Sequence, residues 1–277
     1  VSVKRTVLRY HGGKWKLAPW IISHFPEHRI YVEPFGGAAS VLVRKSRSYA
    51  EVYNDLDGEV VNVFRVLRDR MQATELERLL RLTPFGREEF NASYKLSDDP
   101  IESARRTMIR SYMGFGSDGV NGERPTGFRA NVNRSGTTPA HDWKNFADAI
   151  PHMTERLQGV VIEHRQAVDV IMQYDSPETL HYVDPPYLHA TRPNNNGGRK
   201  RYRHEMADKE HIELAMVLRD LEGMVIVSGY PSRLYDEDLF DDWTRIKRLS
   251  HADGARVRTE VLWISPNTLT YKQEALI

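Results

Sequence analysis

Apolar and polar positions along the chain follow two rhythms. Short apolar runs that close on an acid or a turn recur at "RIYVEP" from about Ile30, "AEVYND" from Ala50, "GVVIEH" (159–164), "TLHYVD" (179–184), "GMVIVSGY" (223–230) and "RTEVLWIS" (258–265). Runs of this length, rich in β-branched and aromatic residues, predict strands. Helical spacing separates them: a helix start after the Gly-Gly turn that follows Glu33, then "GEVVNVFRVLRD" (58–69), "AVDVIMQY" (167–174) and about Met206 to Leu221. Strands alternating with helices predict an α/β class with a parallel sheet. From about Arg70 the rhythm changes: helical patterns over Gly86 to Leu96 and Ile101 to Met113 follow one another without a strand, and a long polar stretch punctuated by glycine, asparagine and proline runs from Gly114 to Pro139. The predicted organisation is one α/β unit formed by 1–69 and 158–277, interrupted by a mainly helical insertion over 70–157.

Composition narrows this picture only slightly. The 277 residues are 40% hydrophobic and 28% charged, which is globular composition with enough apolar surface for a large core. A formal net charge of +1 means that any surface for a polyanion must come from local clustering. The absence of cysteine removes disulfides and thiolate metal sites. The opening "VSVKRTVLRY" lacks the apolar centre of a signal peptide and no run approaches the length of a membrane span, so the expectation is a soluble cytoplasmic protein.

Candidate chemistry concentrates at strand ends. In "HYVDPPYLHATR" (181–192) the strand reaching Asp184 cannot continue inside a sheet, because neither Pro185 nor Pro186 donates to a ladder. Pro185 also holds Asp184 extended, so an acid is fixed at the carboxyl end of a strand, where open α/β sheets bind ligands. "EPFGGAAS" (33–40) places two glycines in a strand-to-helix turn whose backbone a ligand can approach; read alone, a ligand-free turn fits equally well. Asp55 ends the next strand about twenty residues on, where an acid commonly bonds ribose hydroxyls. "YHGGK" (10–14) adds an aromatic, a Gly-Gly turn and a lysine.

The ordered set "YHGGK", "VEPFGG", "YND" and "VDPPY", with a long insertion before the last, resembles the Dam-like adenine-N6 DNA methyltransferases, the D12 class with the α order of motifs, and is most similar to phage and prophage members. The likeness spans nearly the whole chain, and "DGARVRTEVLWISP" (253–266) supports this branch. The resemblance implies a Rossmann-like S-adenosylmethionine-dependent fold, S-adenosyl-L-methionine as methyl donor, DNA as partner and a target-recognition role for the insertion. It implies cofactor contacts at Tyr10, Lys14, Glu33, Phe35, Gly36, Gly37, Asp55 and Asp184, with Phe35 against the methionine portion, Asp55 on the ribose and Asp184 between cofactor and target base. Ala39 stands where the family often has a further glycine, a change that a helix start tolerates. Gln166 and Ala167 stand where many members carry Asp-Phe, which leaves His164 or Gln166 to share the contact to the cofactor's adenine ring.

The chemistry accounts for the Pro-Pro corner. Adenine's exocyclic amine is a poor nucleophile, its lone pair being delocalised into the ring; the Asp184 carboxylate and Pro185 carbonyl can each accept one of its N–H bonds and favour a pyramidal nitrogen. Pro185 and Pro186 fix the geometry without a competing donor, and Tyr187 offers an aromatic face to an extruded base. The catalytic set is thus Asp184, Pro185, Pro186 and Tyr187. Residues 188–204 contain Arg192, Arg199, Lys200, Arg201 and Arg203 without an acid, and the insertion loop contains Arg124, Arg129 and Arg134; these are the candidate DNA contacts, and "GFR" (127–129) could place an aromatic or guanidinium at a base edge. Scattered histidines, His204 and His211 included, lack metal-ligand spacing, so no metal is expected. Motifs of this kind also serve amine methylation on RNA and on protein glutamine, and a non-catalytic DNA-binding regulator with the same fold is the other alternative.

Overall fold

A computed structural model describes residues 3–116, 119–120, 125–133, 136–192, 202–251 and 257–269. It opens with a short helix α1 (Ala18–Ile22), then β1 (Ile30–Glu33) and β2 (Ala50–Asn54). A helical run follows: α2 (Gly58–Arg68), α3 (Arg70–Leu82), α4 (Arg87–Ala92), α5 (Pro100–Met113), α6 (Pro139–Lys144) and α7 (Ala149–Leu157). Strands and helices then alternate through β3 (Val160–Glu163), α8 (Ala167–Gln173), β4 (Thr179–Val183), α9 (Asp208–Arg219) and β5 (Met224–Gly229), and the chain closes with β6 (Thr244–His251) and β7 (Val257–Ile264).

The seven strands among the described residues form one sheet in the order β3-β2-β1-β4-β5-β7-β6. β1 pairs in parallel with β2 and β4, while β7 is antiparallel to both β5 and β6. The chain therefore steps outward from β1 to β3 and returns to lay β4 on the other side of β1. At that reversal the connections leave β1 and β4 in opposite directions, and a crevice opens beyond the two carboxyl ends.

The central strands are buried on both faces, which is why they read as near-continuous apolar runs. On β5, Met224 and Ile226 join one apolar cluster and Val225 and Val227 the other; on β7, Leu262 and Ile264 divide from Val261 and Trp263 in the same way. The first cluster combines Tyr31, Tyr53 and Phe64 with Leu76, Met108 and Phe146 from the helical run, so 70–157 packs on the sheet's own core. Local signals fix the helices: Asp57 caps α2 by accepting from the Glu59 N–H, Asp69 caps α3, and Asp99 with Pro100 starts α5.

One expectation is corrected. No helix starts after the Gly-Gly turn; residues 36–45 form successive turns, with the Ala39 N–H bonded to the Gly36 carbonyl at 2.7 Å and the Val43 N–H to that of Ala39 at 3.0 Å. Ala39 has φ +53°, the left-handed region, so it is strained there and does not gain the easy tolerance of a helical position. The strand β6 was not anticipated. Trp143 and Trp263 are buried.

Candidate active site

A cavity of about 350 Å³ lies at the carboxyl ends of β1 and β4, a size suited to a small ligand. The segment 33–37 forms its floor. Gly36 is required there because an added Cβ would lie 2.1 Å from the ring of Tyr53, and Gly37, at φ +47°, because a Cβ would lie 2.8 Å from the ring of Tyr10. The Tyr53 hydroxyl donates to the Gly37 carbonyl (2.8 Å), which fixes this turn to β2.

At the end of β2, Asp55 accepts from the N–H of Gly37 and of Asp57, each at 2.8 Å. Burial pushes its carboxyl up to about 6, against the pull of those two bonds. Asp57 also lines the cavity, and its Oδ2 is buried without a partner, as is Ser40 Oγ. Burial raises Glu33 to about 8 although the Tyr31 hydroxyl and Leu42 N–H, both at 2.9 Å, donate to it.

The Pro-Pro corner is held from three sides. Ser228 on β5 donates to Asp184 Oδ1 (2.8 Å), Lys14 Nζ lies 2.9 Å from Asp184 Oδ2, and the Tyr187 hydroxyl donates to Glu260 on β7. Lys14 also donates to the Gly12 carbonyl (2.9 Å). Burial lowers its pKa, but Asp184 and Glu260 outweigh that effect and hold the ammonium above the ordinary lysine value.

Residues 10–253 match the family model described as D12 class N6 adenine-specific DNA methyltransferase. The chain belongs to this family. It is 24% identical over 247 residues to the DNA adenine methylase of Escherichia coli K12, covering 84% of this chain and 83% of that protein. It is 24% identical over 259 residues to the DNA adenine methylase of Salmonella typhi, covering 88% and 86%. A 70-residue stretch is 34% identical to the DNA adenine methylase of Vibrio cholerae O1, covering 25% of each chain. N6 methylation of adenine in DNA is the activity of this methyltransferase family.

The residues singled out from the sequence gather unevenly in this methyltransferase. Tyr10, Lys14, Glu33 and Phe35 line the cavity, as do Gly36, Gly37 and Asp55; Asp184, Pro185 and Pro186 form its edge. Gln166 and Ala167 line it too, whereas His164 points its Nε2 to the Leu56 carbonyl at 3.1 Å. Tyr187 is 9% exposed, with Lys14 Nζ 4.7 Å from its ring centroid and Tyr230 against its edge, so a stacked base needs Lys14 to leave that face.

The basic candidates differ from the expectation of free cations. Arg192 is paired with Glu205 (2.7 Å) and donates to the Tyr187 carbonyl; Arg203 is paired with Asp57 (3.0 Å) and with Glu59. Phosphate contact by either would require breaking these pairs. Arg129 donates to the Tyr112 carbonyl (3.0 Å), while Phe128 of "GFR" turns inward against Phe85 and Phe90. Arg124, Arg134, Arg199, Lys200 and Arg201 lie outside the described residues. Among the described residues no group of acids and histidines could hold a metal, and no helix is long and apolar enough to cross a membrane.

Sequence reasoning missed Ser228, Glu260 and Asp57. Asp57 carried a signal, an acid opening a helical pattern. Glu260 carried a weaker one, a lone acid entering an apolar strand.

Proposed function

We propose that the chain transfers a methyl group from S-adenosyl-L-methionine to N6 of an adenine extruded from DNA, with Asp184 and Pro185 gripping the amine. What carries this reading is the corner itself: an acid at the end of β4, at the sheet's reversal, hydrogen-bonded through Ser228 and ion-paired to Lys14. The strand order and the cavity beyond β1 and β4 support a Rossmann-like methyltransferase fold.

The donor fits the residues present. Gly36 and Gly37 let the turn beside the cavity pack closely on the rings of Tyr53 and Tyr10, and Asp57 Oδ2 and Ser40 Oγ are buried polar atoms without a hydrogen-bond partner on residues that line it. Asp55, whose oxygens each keep an acceptor position, and Asp57 would receive ribose hydroxyls; Phe35 would cover the methionine portion and Gln166 would face the adenine ring. When bound, S-adenosylmethionine supplies a methyl carbon made electrophilic by a sulfonium.

The chain's own residues do the rest. Asp184 and the Pro185 carbonyl accept the two N–H bonds of the amine and direct its lone pair toward the methyl carbon. Once N6 has taken the methyl group and become cationic, Asp184 would accept one of its protons and pass it toward solvent. The 70–157 segment takes the role of target recognition, and the basic positions in 124–134 and 192–203 are the phosphate contacts, Arg192 and Arg203 only once DNA draws them from Glu205, Asp57 and Glu59.

The test is transfer of labelled methyl to duplex DNA from a methylation-free host, with RNA as a parallel substrate. Asp184→Ala should lower transfer by about 10²-fold or more while its circular dichroism matches wild type. Undiminished transfer would remove Asp184 from the mechanism, and transfer to RNA in preference to DNA would overturn the substrate.

A further inference from the structure

We infer that Glu260 is a positioning residue for methyl transfer, dividing the charge of Lys14 with Asp184 and tethering Tyr187, so that the Asp184 corner keeps its geometry and its electron density. This rests on the function proposed above. Glu260 lies on β7 just before the wholly buried run Val261–Ile264 and is itself 3% exposed. A carboxylate is costly in such a place, and burial does raise its proton affinity against the pull of Lys14.

Its contacts are specific. Glu260 Oε1 accepts from the Tyr187 hydroxyl and lies 3.6 Å from Lys14 Nζ. Lys14 reaches Asp184 at 2.9 Å and the Gly12 carbonyl at 2.9 Å, so its ammonium faces three oxygen partners on different elements. Two carboxylates thus share one cation. Were Lys14 paired with Asp184 alone, its charge would fall wholly on the acceptor that must receive the amine N–H bonds and stabilise positive charge as N6 is methylated. Glu260 draws part of that field away. Through Tyr187, one residue beyond Pro186, it also anchors the far side of the corner.

The full chain is tested with Glu260→Gln, which keeps the size and an acceptor for the Tyr187 hydroxyl but loses the charge, and with Glu260→Asp, which keeps the charge. Single-turnover transfer at saturating donor and DNA is read beside donor affinity by calorimetry. Glu260→Gln should slow transfer about 10- to 100-fold while donor affinity stays within about threefold, the pattern of an outer partner acting on the reacting step. Glu260→Asp should recover much of the lost rate. Transfer by Glu260→Gln at the wild-type rate, or equal losses of rate and donor affinity in both variants, would overturn the inference. Should Glu260→Gln fail to fold, Glu260→Asp carries the test, since a rate and affinity falling together in it assign Glu260 to structure alone. Asp184→Ala run alongside separates the readings: normal transfer there fails the proposed function, whereas a dead Asp184→Ala beside a normal Glu260→Gln fails this inference only.

Discussion

Glu33 is a buried carboxyl lining the cavity proposed for the donor, and it makes folding depend on pH in a calculable way and, on the proposed function, donor binding too. Burial lifts it from the ordinary value of 4.5 to about 8, outweighing the bonds donated by the Tyr31 hydroxyl and the Leu42 N–H. The raised value means that the folded state holds its proton more tightly than the unfolded chain. Its favourable contribution is therefore complete below the unfolded value and is lost as pH rises through about 8. At about 1.4 kcal/mol per pH unit of separation, the ceiling on this loss is on the order of 5 kcal/mol. Glu33→Gln keeps a carbonyl acceptor for both donors and removes the titration. In urea melts from pH 5 to 9 without donor, wild type should lose stability relative to Glu33→Gln as pH rises, so that the variant is the more stable at pH 8. Donor binding should carry the same signature: a cationic ligand favours the ionised carboxylate, so wild-type affinity should climb between pH 6 and 8 more steeply than that of the variant. Stability curves for the two proteins that run parallel across this range would refute the reasoning, because they would show that Glu33 is ionised in the folded state throughout.

Two further outcomes follow from the turn at 36–45. Gly36→Ala would drive a methyl into the buried Tyr53 ring and disturb its bond to the Gly37 carbonyl; a loss of about 2–4 kcal/mol in chemical denaturation is expected, and a loss near zero would mean that the turn is not held against β2. At Ala39, glycine relieves roughly 1–2 kcal/mol of left-handed strain, an amount similar to the lost methyl burial and added chain entropy. Ala39→Gly should thus be near neutral and Ala39→Val clearly destabilising by the same measurement, whereas a helical position would penalise glycine and accept valine.

Much of the architecture was legible because the central strands are buried on both faces and announce themselves as apolar runs closed by turn residues. β6 was not, for a physical reason. It is the edge of the sheet and carries Arg245, Lys247 and Arg248, the charges that keep an edge strand from pairing with other chains, and these charges erase the alternation that marks a strand. The cavity residues were legible because sheet order brings the ends of β1, β2 and β4 together, and each end carries a contiguous motif. Glu260 lies 73 residues from Tyr187, on an antiparallel strand whose placement beside β5 no local pattern encodes. Arg192 looked free because the acid-free window ended at His204, one residue before Glu205, which binds it.

The odd run of acid, two prolines and tyrosine gains its meaning from what holds each end. Before Asp184, β4 is fixed by ladders to β1 and β5. At the corner the backbone of Pro185 and Pro186 offers no N–H, so ladder bonds cannot anchor it, and φ alone is set by the rings. Without a second anchor, the corner would pivot about Val183. Tyr187 supplies that anchor by burying its ring and donating its hydroxyl to Glu260, and Arg192 adds a bond to the Tyr187 carbonyl. A corner between two fixed points whose prolines carry no backbone N–H can keep the Pro185 carbonyl directed at a ligand without competition from its own backbone, while the Asp184 carboxylate, which already accepts from Ser228 and Lys14, offers its remaining lone pairs. The aromatic residue in the motif is thus required for geometry even where its ring face is covered.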